Sequence, residues 1–201
     1  LKRLNLKFKS GTVSMILGPS GSGKSSFLSL LLKECSPIKG NIKINDYFLK
    51  DLENEAWYQY ISLVPQTPFI FGNTILNNIK VGKANASFDE IKKAVNLSGA
   101  KEFIDNLKNN FDFVVDDNGS NLSGGQCQLI SLTRAILKDS PIILLDEPSN
   151  NLDKKSLFNL KKILLYWATK NKIVLVITHD QRLFDKDFDL YKVSDFKLVK
   201  Q

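Results

Sequence analysis

The chain has 201 residues, 43% of them hydrophobic and 24% charged. That length fits one domain with room for a lobed insertion, and it buries roughly 70% of the unfolded surface, so neither a disulfide nor a metal staple is needed. Lysine and arginine total 28 against 21 acidic residues, a net charge of +7, but only Arg3, Arg134 and Arg182 are arginines; scattered lysines read as solvated faces, and no nucleic-acid partner is expected.

The longest unbroken apolar run, Ile163 to Ala168, is six residues, far short of the ~20 that span a bilayer. The start at Leu1-Lys2-Arg3 has no leader pattern, and opening on Leu rather than Met leads us to expect a piece of a longer chain. Cys35 and Cys127 lack metal-ligand spacing and suit a reducing compartment.

In chain order, Thr12–Leu17 (TVSMIL) is an apolar run ending in Gly-Pro and reads as a buried strand. Lys24–Lys33 is a helix candidate with Leu28, Leu31 and Leu32 on one side, closed by Ser36-Pro37. Asn41–Ile44 alternates like a half-buried strand before an Asn45-Asp46 turn, and Ile61–Val64 is another strand. Beyond Thr74 the period lengthens: Phe88, Ile91 and Val95, then Phe103 and Leu107, share helix faces. A helical insertion is therefore expected over 67–129, between core segments 1–66 and 130–201. Ile142–Leu145 and Ile173–Ile177 are apolar throughout, as in a parallel sheet covered on both faces. Between them Leu157, Leu160, Leu164 and Trp167 form a helical core stripe. The order predicts an α/β fold, a mostly parallel sheet with flanking helices interrupted by a helical lobe.

Gly18-Pro19-Ser20-Gly21-Ser22-Gly23-Lys24-Ser25 fits G-x-x-x-x-G-K-S between a strand and a helix. The glycines let the backbone curl so that several N–H groups face one phosphate, beside the positive end of the helix dipole. Lys24 would reach the β- and γ-phosphates, and the Ser25 hydroxyl would ligate Mg²⁺, which takes hard oxygen ligands. Asp146 and Glu147 end an apolar strand, the side on which open α/β sheets bind ligands. Asp146 suits Mg²⁺, directly or through water, and Glu147 a water in line with the γ-phosphate.

Asn121-Leu122-Ser123-Gly124-Gly125-Gln126 contains LSGGQ, the signature of ATP-binding cassette (ABC) ATPases, and nearly the whole chain resembles one of their nucleotide-binding domains. The order also matches: phosphate loop, Gln66 after a strand, signature, Asp146-Glu147, a D-loop at Ser149-Asn150-Asn151-Leu152-Asp153, and the sole histidine, His179, after a strand. The resemblance implies a P-loop NTPase core with a small antiparallel β part and the helical subdomain. It implies ATP held by Gly18, Ser20, Gly21, Ser22, Gly23, Lys24, Ser25 and Ser26, with Ser123, Gly124, Gly125 and Gln126 closing from a second copy in a head-to-tail homodimer or pseudo-homodimer. Mg²⁺ would sit among Ser25, Gln66 and Asp146; Glu147, His179, Lys24 and Gln66 would be catalytic. Gly124 and Gly125 admit close approach of an anion to a helix end, with the Ser123 hydroxyl as donor.

Val64–Ile75 continuing to Asn78-Ile79 resembles the Q-loop of exporters. Val115-Asp116-Asp117-Asn118-Gly119-Ser120 lies where exporters carry V-G-E-x-G against the transmembrane domain, with Asp116 for Gly and Asp117 for Glu. Asn150-Asn151 is unusual in a D-loop. The expectation is an Mg²⁺-dependent ATPase of an exporter at the cytoplasmic face of the membrane, its transmembrane domain upstream on the same polypeptide. The alternatives are an importer ATPase subunit, a nucleotide-binding module without turnover, and a non-transport ABC protein acting on DNA or the ribosome. The adenine-stacking aromatic of the family has no clear counterpart; Phe8, read as a core-facing strand residue, is the sole aromatic before Gly18.

Overall fold

The computed structural model describes residues 4–19, 21–194 and 197–200. The first half runs β1 (Thr12–Leu17), α1 (Lys24–Leu31), β2 (Lys43–Ile44), β3 (Tyr47–Phe48), α2 (Asn54–Tyr60), β4 (Ile61–Val64), α3 (Ile75–Lys80), α4 (Phe88–Ser98) and α5 (Lys101–Asp105). The second runs α6 (Gly124–Lys138), β5 (Ile142–Asp146), α7 (Lys154–Thr169), β6 (Ile173–Thr178), β7 (Asp189–Ser194) and β8 (Lys197–Lys200). Six strands form one sheet in the order β4-β5-β6-β1-β7-β8, and β2 pairs with β3 in a separate antiparallel ribbon. All neighbours in the large sheet are parallel except β7 and β8. The expected α/β class with a mostly parallel sheet and a small antiparallel part is what forms.

Period-two alternation sends each central strand into two cores. Ile143 and Leu145 of β5, with Val174 and Val176 of β6, face a core shared with α6 and α7. Ile142, Leu144, Leu175 and Ile177 face the other, with Phe27 and Leu28 of α1 and Trp57 of α2. The helical segment has no core of its own. Ile75, Ile79, Ile91, Val95 and Ile104 pack in the same cluster as the first sheet face. The continuity comes from α6, a 15-residue helix whose Ile130 and Leu137 join both parts.

Several local expectations shift. The helix expected to Lys33 ends at Leu31, with Lys33 at φ +59°. Phe88 heads α4 but is 50% exposed, its ring flanked by an edge contact with Phe111 and by the Lys92 ammonium 4.8 Å from its centre. Leu107 lies beyond α5 yet packs on the core. Phe8 is in no strand; its ring instead meets Phe27 and Tyr191 with centroids 6.0 and 5.4 Å away.

A candidate nucleotide site at the carboxyl edge of the sheet

The parallel strands end together. In register, Leu17 of β1 pairs with Thr178 of β6, Asp146 of β5 with Ile177, and Val64 of β4 with Leu145. With strands ~4.8 Å apart, the four exits lie within about 15 Å of one another along one edge. The phosphate loop leaves β1, Glu147 leaves β5, His179 leaves β6, and exposed Gln66 follows β4 by two residues. Sequence order scatters these residues over 160 positions; the parallel topology gathers them.

At the β1 exit the chain turns through Gly21 (φ +76°) and Gly23 (φ +95°), conformations that glycine adopts without steric cost. Gly23 caps α1 with no side-chain hydrogen bond, and no acidic residue stands in the first turn. The first-turn N–H groups are therefore open to an anion. Ser22 Oγ is buried without a hydrogen-bond partner. A Cβ at Gly18 would lie 2.7 Å from that oxygen, so the close turn requires glycine there. Lys24 is buried, and its Nζ donates to Gly18 O at 2.6 Å and Pro19 O at 2.9 Å. These two carbonyls hold the ammonium that the sequence reading aims at phosphate. Ser25 and Ser26 are exposed on the first turn, and Ser20 lies outside the described residues.

Glu147 is 7% exposed and sits at φ +46°, a strained value for a side chain branched from a strand exit. Its N–H donates to Ile177 O at 2.7 Å, tying the turn to β6. The carboxylate is held one-sidedly. Oε2 accepts from Thr178 Oγ1 at 3.0 Å and from the His179 N–H at 3.2 Å, and His179 Nδ1 lies 2.9 Å from the same atom. Among the described residues Oε1 takes no hydrogen bond. Burial, with the adjacent Glu147 charge, pushes the Asp146 carboxyl up, while Lys24 pulls it down. The ring of His179 is exposed and walls, with Gly18 and Pro19, a cleft of about 340 Å³.

The donor set suits phosphate and a hard cation. Open N–H groups, an orphaned buried hydroxyl and a buried lysine match a polyphosphate. Among the described residues no three His, Cys, Asp or Glu side chains converge. A cation here would be held by the Ser25 hydroxyl, the Asp146 carboxylate and phosphate oxygens, an all-oxygen set of the kind Mg²⁺ takes.

The signature heads α6. Ser123 is its N-cap: Ser123 Oγ accepts from Gln126 N–H at 3.2 Å, and Gln126 Oε1 accepts from Ser123 N–H at 2.8 Å. Ser123 thus acts first as an acceptor for its own helix, leaving its hydroxyl hydrogen as the donor. Asn151, at φ +62°, covers the glycines: a Cβ at Gly124 would lie 3.1 Å from Asn151 Nδ2, and one at Gly125 2.9 Å from Asn151 O. The Val115 N–H donates to Asn73 O at 2.9 Å, tying the Val115–Ser120 segment to the loop after Gln66.

The family model described as ABC transporter matches residues 1–150. The chain belongs to the ABC transporter family. This ABC chain is 36% identical over 201 residues to an ATP-dependent lipid A-core flippase of Desulfotalea psychrophila, covering 100% of this chain and 35% of that protein. It is 42% identical over 152 residues to ABC transporter B family member 21 of Arabidopsis thaliana, covering 76% of this chain and 12% of that one. Its fold superposes on a solved bacterial Atm1-family ABC exporter with ATP bound at a TM-score of 0.91 and 27% identity, over 96% of this chain and 34% of the exporter chain. The chain thus spans about a third of the flippase and of the exporter. Among the described residues no helix is long and apolar enough to cross a membrane.

Four participants have roles that the sequence reading did not assign. Thr178 ends β6 beside His179, where a hydroxyl closing an apolar strand is the available signal. Asn151 was legible only as an unusual D-loop residue. Asn78 was legible only as part of the exporter-like Q-loop pattern, and Arg134 only by the rarity of arginine in a lysine-rich chain.

Proposed function

We propose that this ABC chain binds and hydrolyses ATP with Mg²⁺ and powers export through a transmembrane domain, acting at the cytoplasmic face of the membrane. The observation that carries the hydrolytic reading is the one-sided hold on Glu147. Thr178 and His179 fix Oε2, which leaves Oε1 to take a proton from water.

In this reading the N–H groups of Gly21, Ser22 and Gly23 and of the α1 first turn, with Ser25 and Ser26, hold the phosphates, and Lys24 exchanges its two carbonyls for β- and γ-oxygens. Ser25, Gln66 and Asp146 face the metal. A bound Mg²⁺ would neutralise charge building on the phosphate oxygens. His179 keeps Glu147 aligned and presents its other ring nitrogen to the site. Ser123, Gly124, Gly125 and Gln126 belong to the partner's nucleotide in a head-to-tail dimer, because one chain has two anion-receptive helix ends and one ATP needs both. The segments 1–66 and 130–201 serve as the nucleotide core and 67–129 as the lobe that carries the signature.

Export is favoured by the names of the similar proteins and by a surface feature. Beside β4, a groove of about 330 Å³ is walled by Leu63, Phe69, Phe71, Val81 and Arg134. Phe69 and Phe71 are 60% and 47% exposed there. Such aromatics at the loop after Gln66 suit docking of the transmembrane part, which the threefold greater length of the flippase and exporter chains accommodates. In vesicle-reconstituted full-length protein, phosphate release should stop on adding EDTA and return with excess Mg²⁺. Release that persists without divalent cation overturns the metal assignment, and none under any condition overturns the enzyme.

A further inference from the structure

Arg134 lies ten residues into α6 from Gly124, about 15 Å along the helix axis. Its guanidinium reaches out of the helix with all three nitrogens engaged. Nη1 donates to Phe69 O at 2.6 Å, Nε to Asn78 O at 2.7 Å, and Nη2 to Asn78 Oδ1 at 2.7 Å.

Asn78 is itself a clasp. It is fully buried in α3, and its Oδ1 also accepts from Phe71 N–H at 3.0 Å. Its Nδ2 donates to Phe71 O, Asn73 O and Thr74 O at 3.0, 3.3 and 3.1 Å. The loop that begins after Gln66 is irregular, so these side chains supply the hydrogen bonds that secondary structure would otherwise provide. Burial pushes the Arg134 guanidinium down to about 10, so it remains charged at neutral pH. The charge lies 5.9 Å from the centre of the Phe71 ring. None of the groups it bonds belongs to the phosphate loop, Glu147 or His179.

We propose that Arg134 is a positioning residue of the ATP sites, joining the loop that follows Gln66 to the helix headed by Ser123 so that Gln66 at this chain's nucleotide and the signature at the partner's move as one body. This rests on the ATPase reading above. The strut has a rigid rod on one side and an irregular loop on the other, a loop otherwise pinned by the Asn78 clasp, the buried Ile70 and the Val115 bond to Asn73. The phosphate loop grips the nucleotide without it. Arg134 therefore matters for bringing Gln66 to one terminal phosphate and the signature to the other, the arrangement in which hydrolysis occurs, and little for first capture of ATP. Lysine cannot replace it, because one ammonium cannot serve three separated acceptors with a planar fork.

The test is steady-state hydrolysis by the full-length protein carrying Arg134→Lys or Arg134→Ala, with the folded fraction measured by thermal melting. Both variants should keep KM for ATP within about threefold and lose about tenfold or more in kcat. Ethylguanidinium in the buffer should raise kcat of Arg134→Ala and leave the parent unchanged. If Arg134→Ala does not fold, Arg134→Lys alone decides. Parent kcat in a folded variant overturns the proposal, as does a kcat loss matched by KM or by the unfolded fraction, or a folded Arg134→Ala that guanidinium does not rescue. Glu147→Gln in the same assay separates the two readings: hydrolysis at the parent rate there sinks the site assignment, whatever Arg134 does.

Discussion

Replacing Glu147 by glutamine tests the chemistry with little disturbance of the fold. Both hydrogen bonds to the carboxylate end on Oε2, from Thr178 Oγ1 and the His179 N–H, and the His179 ring nitrogen faces the same atom. A glutamine carbonyl oxygen in that place accepts the same bonds, and its NH₂ takes the position of the unbonded Oε1. The backbone strain at φ +46° is unchanged, because side-chain length and branching are the same. The stability cost is then the loss of charge assistance in two bonds, about 1 kcal/mol or less each. The kinetic cost is larger. Removing a general base lowers turnover by 10²- to 10⁴-fold, about 2.7–5.5 kcal/mol in the barrier.

The two costs separate in one preparation. Chemical denaturation of Glu147→Gln should show a midpoint near the parent's, ATP titration should show undiminished binding, and phosphate release should fall at least a hundredfold, to the lower end of the range expected for a lost base. ATP-trapped dimers should accumulate, since binding continues and cleavage does not. Release within a few-fold of the parent would refute Glu147 as the base. A fall in release that tracks lost folding would refute the claim that the amide is accommodated.

Asp180 is held at about 2 by hydrogen bonding from the Arg182 side chain, against 3.8 when free. A depressed carboxyl stabilises the fold above pH ~4 and loses that contribution as pH falls towards 2, so Asp180→Asn should be less stable than the parent at pH 7 by at most about 1 kcal/mol, given the exposure of Arg182, with the gap closing in acid; a gap that widens in acid would contradict this sign. A Cβ at Gly82 would fall 2.4 Å from Arg134 O, with further backbone atoms at 3.0 Å, so Gly82→Ala should destabilise by about 1–3 kcal/mol in urea titrations, and a neutral result would mean the two segments separate freely. Lys24→Ala and Ser123→Arg should each abolish hydrolysis, and mixing them should recover some, since one site of the mixed dimer pairs an intact phosphate loop with an intact signature; Ser123→Arg at the parent rate would place the signature away from the nucleotide.

What the sequence disclosed followed from how local each signal was. TVSMIL and ISLV read as strands over the same residues they occupy, because each is a short, mostly apolar run ended by Gly18-Pro19 or Pro65, and all but Thr12 and Leu63 are buried. The stripe on α7 was legible because helical period alone selects Leu157, Leu160, Leu164 and Trp167. α2 was not, since Trp57 is its one fully buried residue and a single residue has no period. β7 and β8 escaped because neither has the continuous apolar run of the central strands: in β7 exposed Lys192 stands between buried Tyr191 and Val193. The site divides the same way. Phosphate-loop glycines and the Asp146-Glu147 pair are contiguous motifs. The Thr178 hold on Glu147, the Asn151 cover over Gly124 and the Arg134 strut join residues 27 to 65 positions apart, and contacts at that range leave no periodic trace.

The two helix ends that point to a composite site are not equivalent, and the difference bears on how such a site would work. The phosphate-loop end of α1 has no side-chain cap, and a buried hydroxyl beside it lacks a partner, so an anion there satisfies groups that are otherwise unpaid. The signature end of α6 is already closed by the Ser123–Gln126 box, with Asn151 packed over its glycines. An anion arriving there gains fewer new hydrogen bonds and must share the end with an existing cap. The phosphate loop should therefore bind first and alone, while the signature contributes only once ATP, fixed elsewhere, is brought against it. In the proposed dimer that order would make closure depend on the nucleotide, which a pair of equally open helix ends would not achieve, because each would fill with its own anion and neither would need the other.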